Sequence, residues 1–100
     1  MSNELTTVTK VESVIRHVLE SVHGVKPNEI EPTSMIATEL GLDGDDAVEF
    51  LEQLEEIFSV KLVDIQDERF WPEAGFFRSR DVNPISVRGL AEEIVRRQVP

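Results

Sequence analysis

Apolar residues recur along this chain in three blocks, each stepping by three and four positions. The sharpest block predicts a helix over about 44–58, with Ala47, Phe50, Leu51, Leu54, Ile57 and Phe58 on one side at 100° per residue. Asp45, Glu49, Glu52, Glu55 and Glu56 fall on the other side, and Asp46 sits at the edge of the stripe. An earlier block, Val8, Val11, Val14, Ile15, Val18, Leu19 and Val22, predicts a first helix over about 7–23, with residues 1–5 frayed. Its start is open between Thr6 and a Thr9–Glu12 capping box, and Gly24 suits the left-handed position just past its end. The last block, Val87, Leu90, Ala91, Ile94 and Val95, predicts a helix over about 86–97 with Ser86 as its N-cap. Gly89 weakens that helix by roughly 1 kcal/mol relative to alanine unless close packing requires it.

Between the first two blocks lies a long connection in which Pro27 and Pro32 break any continuous helix. Ile30, Met35, Ile36 and Leu40 are expected to turn inward and keep it ordered. Leu40-Gly41-Leu42-Asp43-Gly44 then delivers the chain into the acidic helix, with Asp43 as the expected N-cap and Asp45 and Asp46 facing the positive end of its dipole. After that helix, 60–65 alternates apolar and polar residues and reads equally as a helical turn or an extended connection. The segment from Arg69 to Arg80 holds four of the six aromatic residues, and Pro72 to Gly75 suits a small turn. The pattern as a whole is all-α and one domain, 1–100.

Charge sharpens the picture. The net charge is −10, yet no Lys or Arg occurs between Lys26 and Lys61, an interval that contains ten of the twenty acids. The remainder of the chain is balanced, so the whole excess sits in one third of it. A phosphate-binding surface needs clustered Lys and Arg, so nucleic acid is not expected as a partner. An acidic face is in general a solvated one that maintains solubility; its sharper reading is a docking face for a basic protein surface.

The chain has no cysteine, no apolar run of membrane-spanning length and no basic-then-apolar start. A cytoplasmic protein without membrane attachment is the expectation. His17 and His23 are six apart, out of helical register for a shared ion, and no metal is expected. A calcium loop begun at Asp43 would need glycine and glutamate where Val48 and Leu54 stand. No nucleophile or histidine accompanies the carboxylates, so no catalytic residue is assigned and an enzyme is not expected.

Order and spacing over Leu19 to Phe58 are similar to the acyl carrier protein family. Gly24-Val25-Lys26 with Glu29-Ile30 resembles the end of that family's first helix, and Leu40-Gly41-Leu42-Asp43 its approach to the prosthetic-group site. Val48-Glu49-Phe50 and Leu54-Glu55-Glu56-Ile57-Phe58 resemble its recognition helix, and Ile85-Ser86-Val87 the start of its last helix. The resemblance implies a small antiparallel acyl-carrier-type bundle of three main helices plus a short third element. An aromatic insertion at about 66–82 stands before the last helix.

The resemblance breaks at Gly44. Carriers have Asp-Ser-aliphatic there, and the serine hydroxyl takes phosphopantetheine; this chain has Asp43-Gly44-Asp45. Glycine offers no oxygen to phosphorylate, so no cofactor is expected. The sequence resembles a serine-less carrier-like group with Asp-Gly-Asp-Asp at that place and no assigned function. The expected role is a monomeric, non-catalytic module that binds a partner through Asp45, Asp46, Glu49, Glu52 and Glu56. The runner-up is a genuine carrier of fatty-acid, lipid or polyketide synthesis modified at another residue, Ser34 being the nearby hydroxyl followed by an apolar residue, Met35. A third reading is an accessory subunit that binds through Phe70, Trp71, Phe76, Phe77 and Arg78.

Overall fold

The first apolar block forms a helix longer than its stripe. In the computed structural model, which describes residues 2–42, 44–65 and 85–98 (the side chains of 2–6 excepted), helix α1 runs from Ser2 to Ser21. It therefore starts well before the expected Thr6–Thr9, and residues 2–5 are helical rather than frayed. Extending a helix beyond its packed part adds one hydrogen bond per residue fixed, so a polar first turn follows at little cost. Val11, Ile15, Val18 and Leu19 are buried, whereas Val22 is 48% exposed because the helix has ended before it. Gly24 adopts a φ of +71°, and the Val25 amide donates to the Leu19 carbonyl at 3.0 Å, which closes the end.

Helix α2, Gly44–Phe58, has the expected limits. Ala47, Phe50, Leu51 and Leu54 are buried, while Ile57, at the rim of the stripe in the last turn, is 52% exposed. Its C-terminus is closed by a non-glycine residue: Ser59 has a φ of +57°, and the Val60 amide reaches back to the Glu55 carbonyl at 3.3 Å. This is the Schellman arrangement with serine in the place glycine normally takes.

Helix α3, Val87–Gln98, buries Val87, Leu90, Ala91 and Ile94. Ser86 is its N-cap, for its hydroxyl accepts the Gly89 amide at 2.9 Å. A Cβ on Gly89 would lie 3.1 Å from both Ile85 Cγ1 and Ser86 Oγ, so the cap and the preceding isoleucine occupy the space a side chain would need. Close packing thus accounts for a glycine in the first turn.

The connections carry as much order as the helices. Pro27–Glu29 is a 3-10 turn, and Ile30, Ile36 and Leu42 are buried, with Met35 and Leu40 half-buried. The loop is fastened to the entrance of α3: Ile36 donates to the Ile85 carbonyl, Val87 to that of Ser34 and Arg88 to that of Pro32, at 2.9–3.0 Å. The segment 60–65 divides between its two readings, with 60–62 an irregular connection and 63–65 helical, and Val60, Leu62 and Ile65 are buried. Among the described residues there is no strand, only one isolated bridge between Met35 and Ser86.

The architecture is a small all-α bundle in which α1 packs chiefly against α3 and more lightly against α2. Phe50, Ile15, Leu19, Ile36, Leu51 and Leu54 are among the fully buried side chains at its centre. No helix of the described residues is long and apolar enough to cross a membrane. Asp43 and the expected aromatic insertion, with Phe70, Trp71, Phe76, Phe77 and Arg78, lie outside the described residues.

Candidate functional site

Helix α2 orients the acidic residues, and its start decides what stands at the head of them. Gly44, the first residue, has a φ of +61°, with nothing within 4 Å of where a Cβ would be. The space is open; the backbone is the obstacle, because an L side chain in that region is strained. A residue with a Cβ is thus disfavoured at the start of α2.

Asp45, Asp46, Glu49, Glu52 and Glu56 are all exposed, and none forms an ion pair with a described residue. Positions 45, 49, 52 and 56 follow one another at four-, three- and four-residue steps, which lines them up along one face. Asp45 and Asp46 gain from the positive N-terminal end of the helix. Glu56 lies at the negative end, with no basic residue in the last turn. Like charges four apart also repel one another by tenths of a kcal/mol. A face so arranged subtracts from the stability of its own helix.

Glu55 has a separate task. Its Oε2 accepts the Leu62 amide at 2.7 Å, tying the end of α2 to the chain that follows. Around that junction Glu52, Glu55, Glu56, Ser59, Val60 and Lys61 line a wide depression of about 610 Å³. Ser34, the alternative serine, is buried and engaged: it accepts the Glu31 amide at 2.9 Å and donates to the Glu29 carbonyl at 3.1 Å. Its chemistry is spent on shaping the loop.

One grouping escaped the sequence reading. His23, just past the end of α1, stands edge-on to Phe50 of α2, with ring centroids 5.8 Å apart and an interplanar angle of 83°. The ring packing brings one potential ligand atom from each of His23, Asp46 and Glu49 within 4.8 Å of one another. His23 Nε2 is shut off from solvent and has no hydrogen-bond partner among the described residues, as is Gln53 Oε1, one turn beyond Glu49. The test of histidine spacing along one helix could not find this, because the complementary ligands come from another helix. His17 instead points its Nε2 towards Ser21 Oγ, 3.4 Å away.

Comparisons with protein-family models, with curated proteins and with solved structures give no match to this chain.

Proposed function

We propose that this chain is a carrier-like interaction module that docks a basic protein surface through the outer face of α2 and holds no phosphopantetheine at the usual position. In this reading the acyl-carrier-type bundle is retained as a scaffold, and the protein works as a non-catalytic monomer in the cytoplasm. The observation that carries it is the row formed by Asp45, Asp46, Glu49, Glu52 and Glu56, exposed and without ion pairs to described residues. That row opposes its own helix dipole at one end and repels itself along its length, so a complementary cationic surface offsets a standing penalty on binding.

Two further facts support the absence of carrier chemistry. Gly44 has no hydroxyl and adopts a left-handed φ, and the Ser34 hydroxyl is buried with both its donor and acceptor capacity used. Incubation with coenzyme A and a broad-specificity phosphopantetheinyl transferase should therefore leave the mass unchanged. A stoichiometric adduct on any serine would sink the reading.

The docking face itself is tested by capture from an extract of the cells that make the protein, with wild type and Glu49→Lys/Glu56→Lys as baits. A basic partner should be retained by wild type at low salt and lost from the variant. It should also be lost as the Debye length falls from about 10 Å at 0.1 M to about 3 Å at 1 M salt. Capture indifferent to both salt and charge reversal would leave the row a device for solubility alone.

A further inference from the structure

We propose that His23, Asp46 and Glu49 form a binding site for a single divalent first-row transition ion, with Zn²⁺ the ion of choice for testing it. The inference does not rest on the docking role, although Asp46 and Glu49 belong to both, and it stands on three observations at one place. The first is the donor set: one imidazole and two carboxylates, each offering a ligand atom within 4.8 Å of the others. Imidazole nitrogen with carboxylate oxygen suits zinc and its neighbours, whereas calcium and magnesium favour sites built of oxygen alone.

The second observation is the unsatisfied nitrogen. His23 Nε2 is out of reach of solvent and has no hydrogen-bond partner among the described residues. A buried polar atom left this way is expensive, and native structures rarely leave one without a reason. A bound ion supplies the missing partner directly if Nε2 is the coordinating atom. If Nδ1 coordinates, the ion polarises the ring and makes Nε2 a stronger donor towards a side chain brought close.

The third is freedom to adjust. Donors around a tetrahedral zinc ion at about 2.0–2.2 Å stand roughly 3.5 Å apart, a separation inside the 4.8 Å within which these atoms lie. Asp46 and Glu49 are exposed and hold no ion pair with a described residue, so their carboxylates can rotate inward without breaking an ion pair. The imidazole is the fixed member, held edge-on against Phe50. Three protein ligands leave a fourth position for water, and the ion would bridge α1 and α2, whose direct packing is light.

The experiment is calorimetric titration of the metal-stripped protein with Zn²⁺ in an excess of Mg²⁺, which occupies loose acidic binding elsewhere. One saturable equivalent is expected. His23→Gln and Asp46→Asn/Glu49→Gln should each weaken it by at least about tenfold. Glu52→Gln/Glu56→Gln, which removes the same charge from the same helix away from the cluster, should stay within about twofold. Zn²⁺ should also raise the melting temperature of wild type but not of Asp46→Asn/Glu49→Gln, whose substituted side chains are exposed and leave the core intact. Nuclear magnetic resonance of the two imidazoles supplies an internal control, since His23 should shift with one equivalent of Zn²⁺ and His17 should not. Unsaturable uptake, equal loss in the Glu52/Glu56 control, or affinity retained in His23→Gln would overturn the site.

Discussion

Glu12 of α1 and Arg88 of α3 meet through a 2.8 Å bond from Nε to Oε2, although 76 positions separate them. The two ends differ in exposure: the Glu12 side chain is 10% exposed and that of Arg88 47%. Removing either partner is therefore not equivalent. Arg88→Ala strands a buried carboxylate, whereas Glu12→Gln leaves a half-exposed guanidinium that water can serve. We expect Arg88→Ala to lower the urea unfolding midpoint more than Glu12→Gln does. Equal effects would mean that the pair behaves as a surface contact.

Arg97 grips Asp64 by two parallel bonds of 2.8 Å, Nη1 to Oδ1 and Nη2 to Oδ2. Hydrogen bonding from Arg97 holds the Asp64 carboxyl down at about 2, below its ordinary 3.8, against a smaller opposing effect of burial. The folded protein thus binds this proton less readily than the unfolded chain does. The stabilisation is complete above about pH 4 and is lost as pH falls through about 2. Wild type should exceed Asp64→Asn in urea midpoint at about pH 6, and the gap should narrow from pH 4 downwards. The Asp64 side chain is 57% exposed, so the gap is small and salt shrinks it further. A gap that persists unchanged at pH 2 would exclude the ion pair as its source.

Two left-handed residues flank α2, and substitutions there should have opposite signs. Gly44, at a φ of +61°, suits the conformation, so Gly44→Ser and Gly44→Ala should each destabilise by about 1 kcal/mol. Ser59, at +57°, bears that strain already, so Ser59→Gly should stabilise by up to about 1 kcal/mol. Thermal melting of the three variants checks both signs. A neutral Gly44→Ala would show that the helix start relaxes, and with it the backbone objection to serine at this place.

What could be read from the sequence depended on whether the cause was local. The limits of α2 are legible because its apolar stripe and acidic face both end within a residue or two of its ends and a glycine, Gly44, stands at its start. Ser86 as cap was equally plain, and its bond to the Gly89 amide is local chemistry. The start of α1 was not, because Ser2–Thr6 carry no apolar rhythm and follow the packed turns passively. Ile57 was placed inside on periodicity, yet a stripe position in a last turn is buried only if something lies against it, and here it is 52% exposed. The pairings Glu12–Arg88 and Asp64–Arg97, and the approach of His23 to Asp46 and Glu49, belong to tertiary geometry. No spacing rule along one helix contains them.

The attachment of the loop before α2 has a consequence for the order in which the molecule takes shape. Pro32, Ser34 and Ile36 exchange backbone bonds with Arg88, Val87 and Ile85, residues far along the chain, rather than with the helices that adjoin them in sequence. The segment that aims the acidic helix is accordingly fixed in part by the docking of α3, and the melting of one should loosen the other. Closing so long a stretch of chain is slow in entropic terms, which places loop and helix together late in folding. Loosening at α3 should then be transmitted, through these backbone bonds, to the loop that leads into α2. The acidic face and the helix Val87–Gln98 should therefore loosen together.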